Sequence, residues 1–300
     1  MKLEKIILDT DIGFDADDTL ALALLLKSDV EIKAITTVYE FTELKKEITK
    51  KLLELASISV PVYGGIDYRK TKRQIPAEVC KHMRHPDSHE GEGLFDRKTI
   101  IRLKDTPPKD DAIKEMHKII QQDDISIVSI GPMTNIAGLI KEHPDVKNNI
   151  RHIYAMSGVL DQKRLGRAEY NVRADPKAAQ IVYSSKIPMT IMPSDVTHEV
   201  WLDDYQIRRL EHGDALAQKL AELARIWNES AAGGRTYLHD PLAAAFLFWK
   251  DIFRIDRRSF EIDDYGDMTN RIDASSHITS CTKVEKTEFM DRFMRIMLDR

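Results

Sequence analysis

Short apolar runs alternate with longer amphipathic stretches, and this alternation restricts the fold of the chain more than any other feature. Apolar runs of this kind predict buried parallel strands, and the amphipathic stretches predict helices that cover the sheet. The predicted strands are 4–10, 32–38, 125–130, 150–156 and 188–193. The predicted helices lie near 17–27, 42–57, 111–122, 134–143, 175–184, 205–231, 241–250 and 286–299. The repeated strand and helix unit predicts an α/β fold with a mainly parallel central sheet flanked by helices.

The chain contains no Gly-, Ser- or Pro-rich linker between its halves. We therefore expect residues 1–300 to form a single domain. The charged segment 69–108 shows little periodicity, and loops of that length in a compact domain are often functional.

Composition excludes several classes of partner. The chain has 45 basic and 49 acidic residues, a net charge of −4, which provides no broad basic surface for nucleic acid or anionic lipid. Its two cysteines, Cys80 and Cys281, lack metal-ligand spacing, and no apolar run is long enough to span a membrane. The N-terminus lacks a signal-peptide pattern. We expect a cytoplasmic protein that binds neither nucleic acid nor membranes.

The stretch DTDIGFDADD, Asp9 to Asp18, places five carboxylates in ten residues at the end of the first predicted strand. Parallel sheets bind their ligands at the carboxyl ends of strands. Carboxylates held this close repel one another, and a hard divalent cation such as calcium or magnesium relieves the repulsion. The alternative is that Asp15 or Asp17 only caps the following helix.

The same stretch, with DTDIG after a strand, also resembles the start of the haloacid-dehalogenase phosphatases. In those enzymes one Asp attacks phosphorus and another acts as an acid. This reading requires a downstream Lys and a second acidic pair. The candidate for that pair is GDMTNRID, Gly266 to Asp273.

Two further stretches contain polar residues beside predicted helices. SIGPMTNIAGL places Thr134 and Asn135 between a strand and a helix, where they could line the crevice or simply start the helix. RAEYNVRADPKAA sets Glu169 and Asn171 two residues apart, which suits binding of sugar hydroxyls. The alternative for this second stretch is a polar loop before a helix capped by Asp175.

The remaining candidates involve histidines. YLHDPLAAAFLFW places His239 beside Asp240 at an apolar helix, as a general acid or metal neighbour, although Asp240 could also be a plain helix cap. The histidines at 82, 85 and 89 could suggest zinc, but no cysteine pair or HExxH pattern accompanies them.

Seven stretches in this order resemble the inosine/uridine-preferring nucleoside hydrolases. They are DTDIGFDADDTLAL, ITTV, HEGEGL, GPMTNIA, AEYNVRADPKAA, SDVTHEVW and HDPLA, and they span most of the chain. The phosphatase reading accounts for the first stretch alone. The resemblance implies one α/β domain, a calcium ion in the crevice, and hydrolysis of the N-glycosidic bond of ribonucleosides. It also implies a homodimer or homotetramer.

The resemblance assigns roles to individual residues. The implied metal ligands are Asp11, Asp18, the backbone carbonyl of Thr134, and Asp240. The implied catalytic residues are Asp17, which holds the attacking water, and His239, near the leaving base. The implied substrate contacts are Glu169 and Asn171 at the ribose, Met156 beneath the sugar, and His89 in the loop segment 70–95.

The sequence departs from the family pattern at several places, including the predicted metal site and ribose site. DTDIGFDADD is two residues longer than the usual DxDPGxDD and has Ile12 instead of Pro. After TTV, where the family commonly has Gly-Asn or Gly-Asp, Glu40 and Phe41 stand instead. A Phe side chain cannot hydrogen-bond a hydroxyl, so we predict that Glu40 replaces the missing contact or that the ribose is held differently. A protein that binds a ligand or cleaves an unusual glycoside is the alternative.

Overall fold

The computed structural model describes residues 3–13, 15–70, 89–230 and 234–298. In these ranges the strands are β1 (Glu4–Thr10), β2 (Val30–Tyr39), β3 (Val62–Asp67), β4 (Ile125–Ser129), β5 (Ile150–Met156), β6 (Met189–Met192), β7 (Trp201–Leu202), β8 (Thr236–Tyr237), β9 (Phe253–Ile262), β10 (Met268–Ile272) and β11 (Ile278–Val284).

The helices of the first half are α1 (Asp17–Leu26), α2 (Thr42–Ala56), α3 (Arg97–Asp105), α4 (Ala112–Gln122) and α5 (Thr134–Glu142). Those of the second half are α6 (Gln162–Leu165), α7 (Tyr170–Ala174), α8 (Pro176–Tyr183), α9 (Ser194–Thr197), α10 (Asp204–Leu210), α11 (Ala215–Ser230), α12 (His239–Ala245) and α13 (Lys286–Leu298). None of the helices in the described ranges is both long enough and apolar enough to cross a membrane.

Nine strands form one sheet in the order β10-β9-β11-β6-β5-β4-β1-β2-β3. Neighbouring strands from β3 to β11 pair in parallel, while β9 pairs antiparallel with both β11 and β10. The chain reverses its direction of travel across the sheet between β1 and β4, and such switch points open a crevice at the carboxyl ends of the strands. The predicted α/β fold with a mainly parallel sheet is confirmed.

The five predicted strands correspond to β1, β2, β4, β5 and β6, but the sequence reading missed other elements. No strand was predicted after residue 193, where the structure contains β7 to β11. The single helix predicted for 205–231 is wrong: it is divided into α10 and α11. The division lies at Gly213, where a Cβ atom would lie 2.6 Å from the Cβ of Ala217.

Small side chains allow α1 and α12 to pack closely beside the sheet. Ala21, Ala23 and the three alanines 243–245 are fully buried in the same hydrophobic cluster. Each helix begins with acidic residues, Asp17 and Asp18 in α1 and Asp240 in α12. Helix packing therefore brings together carboxylates that are far apart in the sequence.

Candidate active site

The carboxyl ends of β1 and β4 meet at the switch point. Gly131 follows β4 and approaches the residue after β1, because a Cβ atom at position 131 would lie 2.8 Å from both the backbone nitrogen and Oδ1 of Asp11. Real Cβ atoms do not come this close to other atoms, so a larger residue would push the two segments apart. Glycine at this position lets the predicted site residues of both segments be neighbours.

An acidic cluster occupies this crevice. Oxygen atoms of Asp15, Asp17 and Asp18 lie within 4.8 Å of one another. Asp11 and Asp240 belong to the cluster as well, since each interacts electrostatically with Asp18. Except for Asp15, these side chains are buried, with exposures of 7% or less. The structure thus brings together the carboxylates that the sequence reading proposed for the metal and for catalysis.

Burial and mutual repulsion disfavour ionisation of the cluster. The pKa of Asp11 is raised to about 7, because desolvation, helped by the charge of Asp15, outweighs the opposing charge of Lys45. The pKa values of Asp17, Asp18 and Asp240 are raised well above their ordinary value, first by desolvation and then by neighbouring carboxylates. A set of convergent carboxylate oxygens fits a hard divalent cation, which would favour the ionised forms.

The acidic residues do not act as plain helix caps. Helix α1 has Ala16 at its N-cap, without a capping hydrogen bond from a side chain. Asp17 Oδ1 accepts a hydrogen bond of 3.1 Å from the backbone nitrogen of Asp18, and the Thr10 hydroxyl donates to Asp18 Oδ1. The alternative in which Asp15 or Asp17 serves only as the cap is therefore wrong.

Thr134 and Asn135 connect helix α5 to the crevice. The Thr134 hydroxyl donates to Asp175 Oδ2 at 2.8 Å, which fixes the residue whose carbonyl is the predicted ligand. Asn135 Nδ2 donates to Asp9 Oδ1 at 2.7 Å and to the Thr37 carbonyl at 3.1 Å. Asn135 thereby ties together the carboxyl ends of β1 and β2.

Glu169 is the N-cap of α7, a role that the sequence reading did not consider. Its carboxylate accepts hydrogen bonds from the backbone nitrogens of Asn171, Val172 and Gly158, at 2.7, 3.1 and 3.1 Å. Desolvation raises the pKa of Glu169, and these three hydrogen bonds oppose the shift. The side chain is held rigidly within the electrostatic reach of Asp11 and Asp240.

Asn171 and Met156 are in direct contact. Asn171 Nδ2 donates to the Met156 carbonyl and the Ile130 carbonyl, both at 3.1 Å, and lies 3.6 Å from Met156 Sδ. Because the amide hydrogens serve the protein backbone, the side-chain oxygen is the atom available to a ligand. The predicted ribose contacts are thus placed together at the ends of β4 and β5.

His239 lies in a cluster of aromatic and imidazole rings. Its Nδ1 is 2.6 Å from the Thr197 hydroxyl, and its ring is 4.7 Å from that of His198 and 5.3 Å from that of Tyr237. Burial, with a smaller contribution from the nearby His198, lowers the pKa of His239 from 6.5 to about 3. The sequence reading missed Thr197 and His198, although both lie in the SDVTHEVW stretch that carried the resemblance.

The residues after β2 adopt an unusual backbone. Tyr39 and Phe41 have φ angles of 83° and 54°, in the left-handed region that bulky residues rarely occupy. The guanidinium carbon of Arg69 lies 4.0 Å from the centre of the Phe41 ring. The rings of Tyr39 and Tyr170 pack edge to face, with their centres 6.2 Å apart. Both side chains lie near Glu40, whose negative charge contributes to raising their pKa values. Aromatic rings therefore surround the position predicted to contact the ribose.

A mainly apolar pocket adjoins the acidic cluster at Asp15. Leu223, Ile226 and Trp227 of α11 line one side, and His89 lines another. His89 Nδ1 is 2.6 Å from Glu92 Oε2, and its Nε2 is buried without a hydrogen-bond partner among the described residues. Of the predicted loop segment 70–95, residues 71–88 lie outside the described residues, and they include two of the three histidines considered for zinc.

Lys45 is a charged residue at the site that the sequence reading missed. It lies in α2 with only 1% of its surface exposed, and its ammonium donates to the backbone carbonyls of Asp11 and Ile12. The only signal was its helical spacing from residues of the apolar face of α2, which does not distinguish an inward lysine from an exposed one.

The acidic pair that the phosphatase reading requires lies far from this site. GDMTNRID contains β10, the edge strand on the opposite side of the sheet from β3, and five strands separate β10 from β1. Asp267 accepts a hydrogen bond of 2.6 Å from Gln162, and Asn270 donates to the Leu160 carbonyl at 2.8 Å. These residues connect β10 to a loop and take no part in the acidic cluster.

Comparisons with known proteins agree with this geometry. The family model described as inosine-uridine preferring nucleoside hydrolase matches residues 6–291. The pyrimidine-specific ribonucleoside hydrolase RihA of Salmonella typhimurium is 30% identical over 280 residues, which cover 88% of this chain and 86% of the relative.

Solved structures have the same fold. A purine-preferring ribonucleoside hydrolase from Gardnerella vaginalis superposes with a TM-score of 0.76 at 24% identity, covering 98% of each chain. The plant nucleoside hydrolase PpNRh1 gives a TM-score of 0.77 at 20% identity and covers 99% of each chain. With its sheet, its acidic crevice and a family match over nearly its whole length, the chain belongs to the inosine-uridine preferring nucleoside hydrolases, enzymes that hydrolyse N-glycosyl bonds.

Proposed function

We propose that this enzyme hydrolyses the N-glycosidic bond of ribonucleosides in a calcium-dependent reaction that releases free base and ribose. The observation that carries the proposal is the cluster of Asp11, Asp15, Asp17, Asp18 and Asp240 at the switch point, all of them buried except Asp15. Burial and mutual repulsion destabilise the ionised forms of these carboxylates. A bound divalent cation would stabilise the ionised forms and so explains why the carboxylates are gathered here.

The metal ligands in this proposal are Asp11, Asp18, Asp240 and the Thr134 carbonyl. All are oxygen donors, as calcium prefers. When bound, the ion would lower the pKa of a water molecule and orient the sugar hydroxyls. The hydrogen bond from Thr10 orients the Asp18 carboxylate, and that from Thr134 to Asp175 fixes the start of α5.

Asp17 is the proposed general base. Cleavage of the glycosidic bond passes through an oxocarbenium-like state, which needs an activated water on one face of the sugar and help for the leaving group. Asp17 is held at the first turn of α1 beside the proposed ligand Asp18, where it can accept the proton of the water. Glu169, Asn171 and Met156 hold the ribose, and such positioning lowers the barrier by several kcal/mol.

His239 is proposed to assist the leaving base. The Thr197 hydroxyl has two acceptors within reach, His239 Nδ1 at 2.6 Å and the Ser194 carbonyl at 3.2 Å. The Ser194 carbonyl already accepts hydrogen bonds from the backbone nitrogen and Nδ1 of His198, at 3.0 and 2.7 Å. We therefore assign the Thr197 hydroxyl as a donor to His239 Nδ1, which leaves the hydrogen of the neutral ring on Nε2. In this tautomer His239 can donate a hydrogen bond to the base without being protonated first.

The pocket beside Asp15 is the proposed base site. Its apolar side chains and Trp227 suit the faces of a nucleobase. The Nε2 of His89, which has no hydrogen-bond partner in the described part of the chain, can bind a polar atom at the edge of the base. The relatives include a pyrimidine-specific and a purine-preferring enzyme, so an assay needs both kinds of nucleoside.

The decisive experiment measures release of free base and reducing sugar from a panel of purine and pyrimidine ribonucleosides. It is run with added calcium, with added magnesium and with a chelator. We expect release with calcium and at least a hundredfold less with the chelator, since the metal and Asp17 act on the same step. Equal release with calcium and with chelator would contradict the proposed metal, and no release from any ribonucleoside would contradict the proposed substrate.

The second candidate function is cleavage of an unusual glycoside, or binding of a ligand without turnover. Its support is the sequence Tyr39-Glu40-Phe41, where the resemblance leads us to expect a residue that contacts the ribose. Phe41→Asn tests it, because Asn tolerates the left-handed backbone at this position better than Phe does. A variant that gains ribonucleoside hydrolysis over an inactive parent supports this candidate, and a parent active on ribonucleosides excludes it. The matched control is Tyr205→Asn, which makes the same kind of change at an exposed aromatic residue. Phe246→Asn is not a suitable control, because Phe246 is buried in the core.

A further inference from the structure

Among the described residues, no carboxylate forms an ion pair with the buried side chain of Lys45. Its side chain is 1% exposed, and its ammonium donates to two backbone carbonyls, those of Asp11 and Ile12, the second at 3.3 Å. Lysine is almost never fully buried without compensation, because removing an ammonium from water is costly. Two neutral carbonyls supply hydrogen bonds but no opposite charge.

The compensating charge comes from the acidic cluster. The positive charge of Lys45 lowers the pKa values of Asp11 and Asp18, against the larger effect of desolvation and the repulsion from neighbouring carboxylates. The next lysine in α2 behaves differently, since Lys46 forms an ion pair with Glu43 of the same helix. Lys45 therefore faces Asp11 and Ile12, which we call the metal-site loop, whereas Lys46 is neutralised by Glu43 within α2.

We propose that Lys45 is an internal counter-cation and positioning residue, which holds the backbone of Asp11 and Ile12 in place and partly neutralises the acidic cluster when no divalent ion is bound. Two consequences follow. Loss of the positive charge destabilises the metal-free protein through the cluster, and it removes a repulsion that the incoming ion otherwise meets. The second consequence rests on the proposed function, whereas the first does not.

The first test is a double-mutant cycle on thermal unfolding in the presence of a chelator. The variants are Lys45→Met, Asp18→Asn and the double variant, and Asn at position 18 keeps the oxygen that accepts from Thr10. We expect Lys45→Met to lower the melting temperature, and to lower it by less than half as much in the Asp18→Asn background. An equal loss in both backgrounds would overturn the proposal, because the ammonium would then act only through packing and its carbonyl hydrogen bonds.

One further variant serves as the control for this test, and another serves as a substitute for Lys45→Met. Lys46→Met removes a neighbouring lysine that is paired with Glu43. This change should therefore lower the melting temperature by the same amount with or without Asp18→Asn. Lys45→Gln is neutral but keeps hydrogen-bond donors for the loop carbonyls, and it replaces Lys45→Met in the cycle if that variant does not fold.

The second test measures calcium binding by titration calorimetry. We expect Lys45→Gln to bind calcium about tenfold more tightly than the parent, because a like charge has been removed from the site, while Lys46→Met should be unchanged. Unchanged or weaker binding by Lys45→Gln would overturn the counter-cation role. If the parent itself binds no calcium, the proposed metal is wrong, and the chelator cycle alone decides on Lys45.

Discussion

The amino ends and the carboxyl ends of the adjacent strands β1 and β4 differ in how their charged residues are arranged. At the amino ends, residues of opposite sign are paired near the surface: Lys5 with Asp123, and Lys33 with the same carboxylate at 3.4 Å. At the carboxyl ends, residues of like sign, Asp11, Asp17 and Asp18, are gathered and buried. The same strands thus carry a conventional ion-pair arrangement at one end and a repulsive one at the other.

This difference separates what stabilises the fold from what the fold is used for. Partly exposed ion pairs contribute little to stability but impose no penalty. Buried carboxylates with raised pKa values oppose folding unless a cation compensates them. The amino ends can therefore be altered with little consequence, whereas a change at the carboxyl ends should alter activity and stability in opposite directions.

The largest expected effect is that of Asp17→Asn. The variant lacks the proposed general base, so we expect kcat for the best ribonucleoside to fall by about a thousandfold. The metal-free variant should melt at a higher temperature than the parent, since one of several repelling carboxylates is gone. Steady-state kinetics and thermal unfolding in chelator measure the two effects. Turnover within tenfold of the parent would show that Asp17 is not the base.

A second prediction concerns pH and Asp9, which lies beside the cluster at the end of β1. Burial raises the pKa of Asp9 from 3.8 to about 7. Between these values the folded protein holds a proton that the unfolded chain has lost, so the free energy of unfolding falls as pH rises, by up to about 1.4 kcal/mol per pH unit. Asp9→Asn lacks this dependence. In chelator, its melting temperature relative to the parent should rise between pH 4 and pH 7 and level off above; a difference independent of pH would contradict the assignment.

The smallest expected effect is that of Asp123→Asn at the amino end. The hydrogen bond from Lys5 lowers the pKa of Asp123 despite some desolvation, so its stabilisation is present at neutral pH and is lost as the pH falls through its folded pKa. The variant should melt at most a few degrees below the parent at pH 7 and should match it in strong acid. Activity should not change. A loss of turnover comparable to that of Asp17→Asn would abolish the distinction between the two ends.

Sequence reading recovered the strands that are buried on both faces and missed those that are not. β1, β2, β4, β5 and β6 are apolar runs, because a parallel strand covered by helices needs apolar side chains on both sides. β9 carries charged residues such as Asp256 and Arg258 on a partly exposed strand, and its sequence was not recognised as a strand. β3 contains Gly65, which suggests a turn; in the structure a Cβ atom at Gly65 would lie 2.3 Å from Asn135 Nδ2.

The acidic part of the site was predictable, and the supporting residues were not. Asp11, Asp17 and Asp18 are concentrated in one short stretch, and the HDPLA stretch pointed to Asp240. Lys45 reaches the site from α2, and nothing in its local sequence separates it from residues that face solvent. Thr197 reaches it from α9, and its only signal was its place in the SDVTHEVW stretch. The ligand and catalytic roles, the single domain, the oligomeric state and the cytoplasmic location stay predictions.

The sequence by itself determined the class of fold, which follows from periodicity. It also determined the family and the carboxylates of the site, which follow from short stretches that resemble those of the family. Only the tertiary structure decided that Lys45 lies against the metal-site loop, that Thr197 holds His239, and that Phe41 occupies a left-handed backbone. The physical reason is that burial and pairing depend on which helix packs against which strand. A charge placed by such packing interacts with groups distant in the sequence, and no local pattern records that interaction.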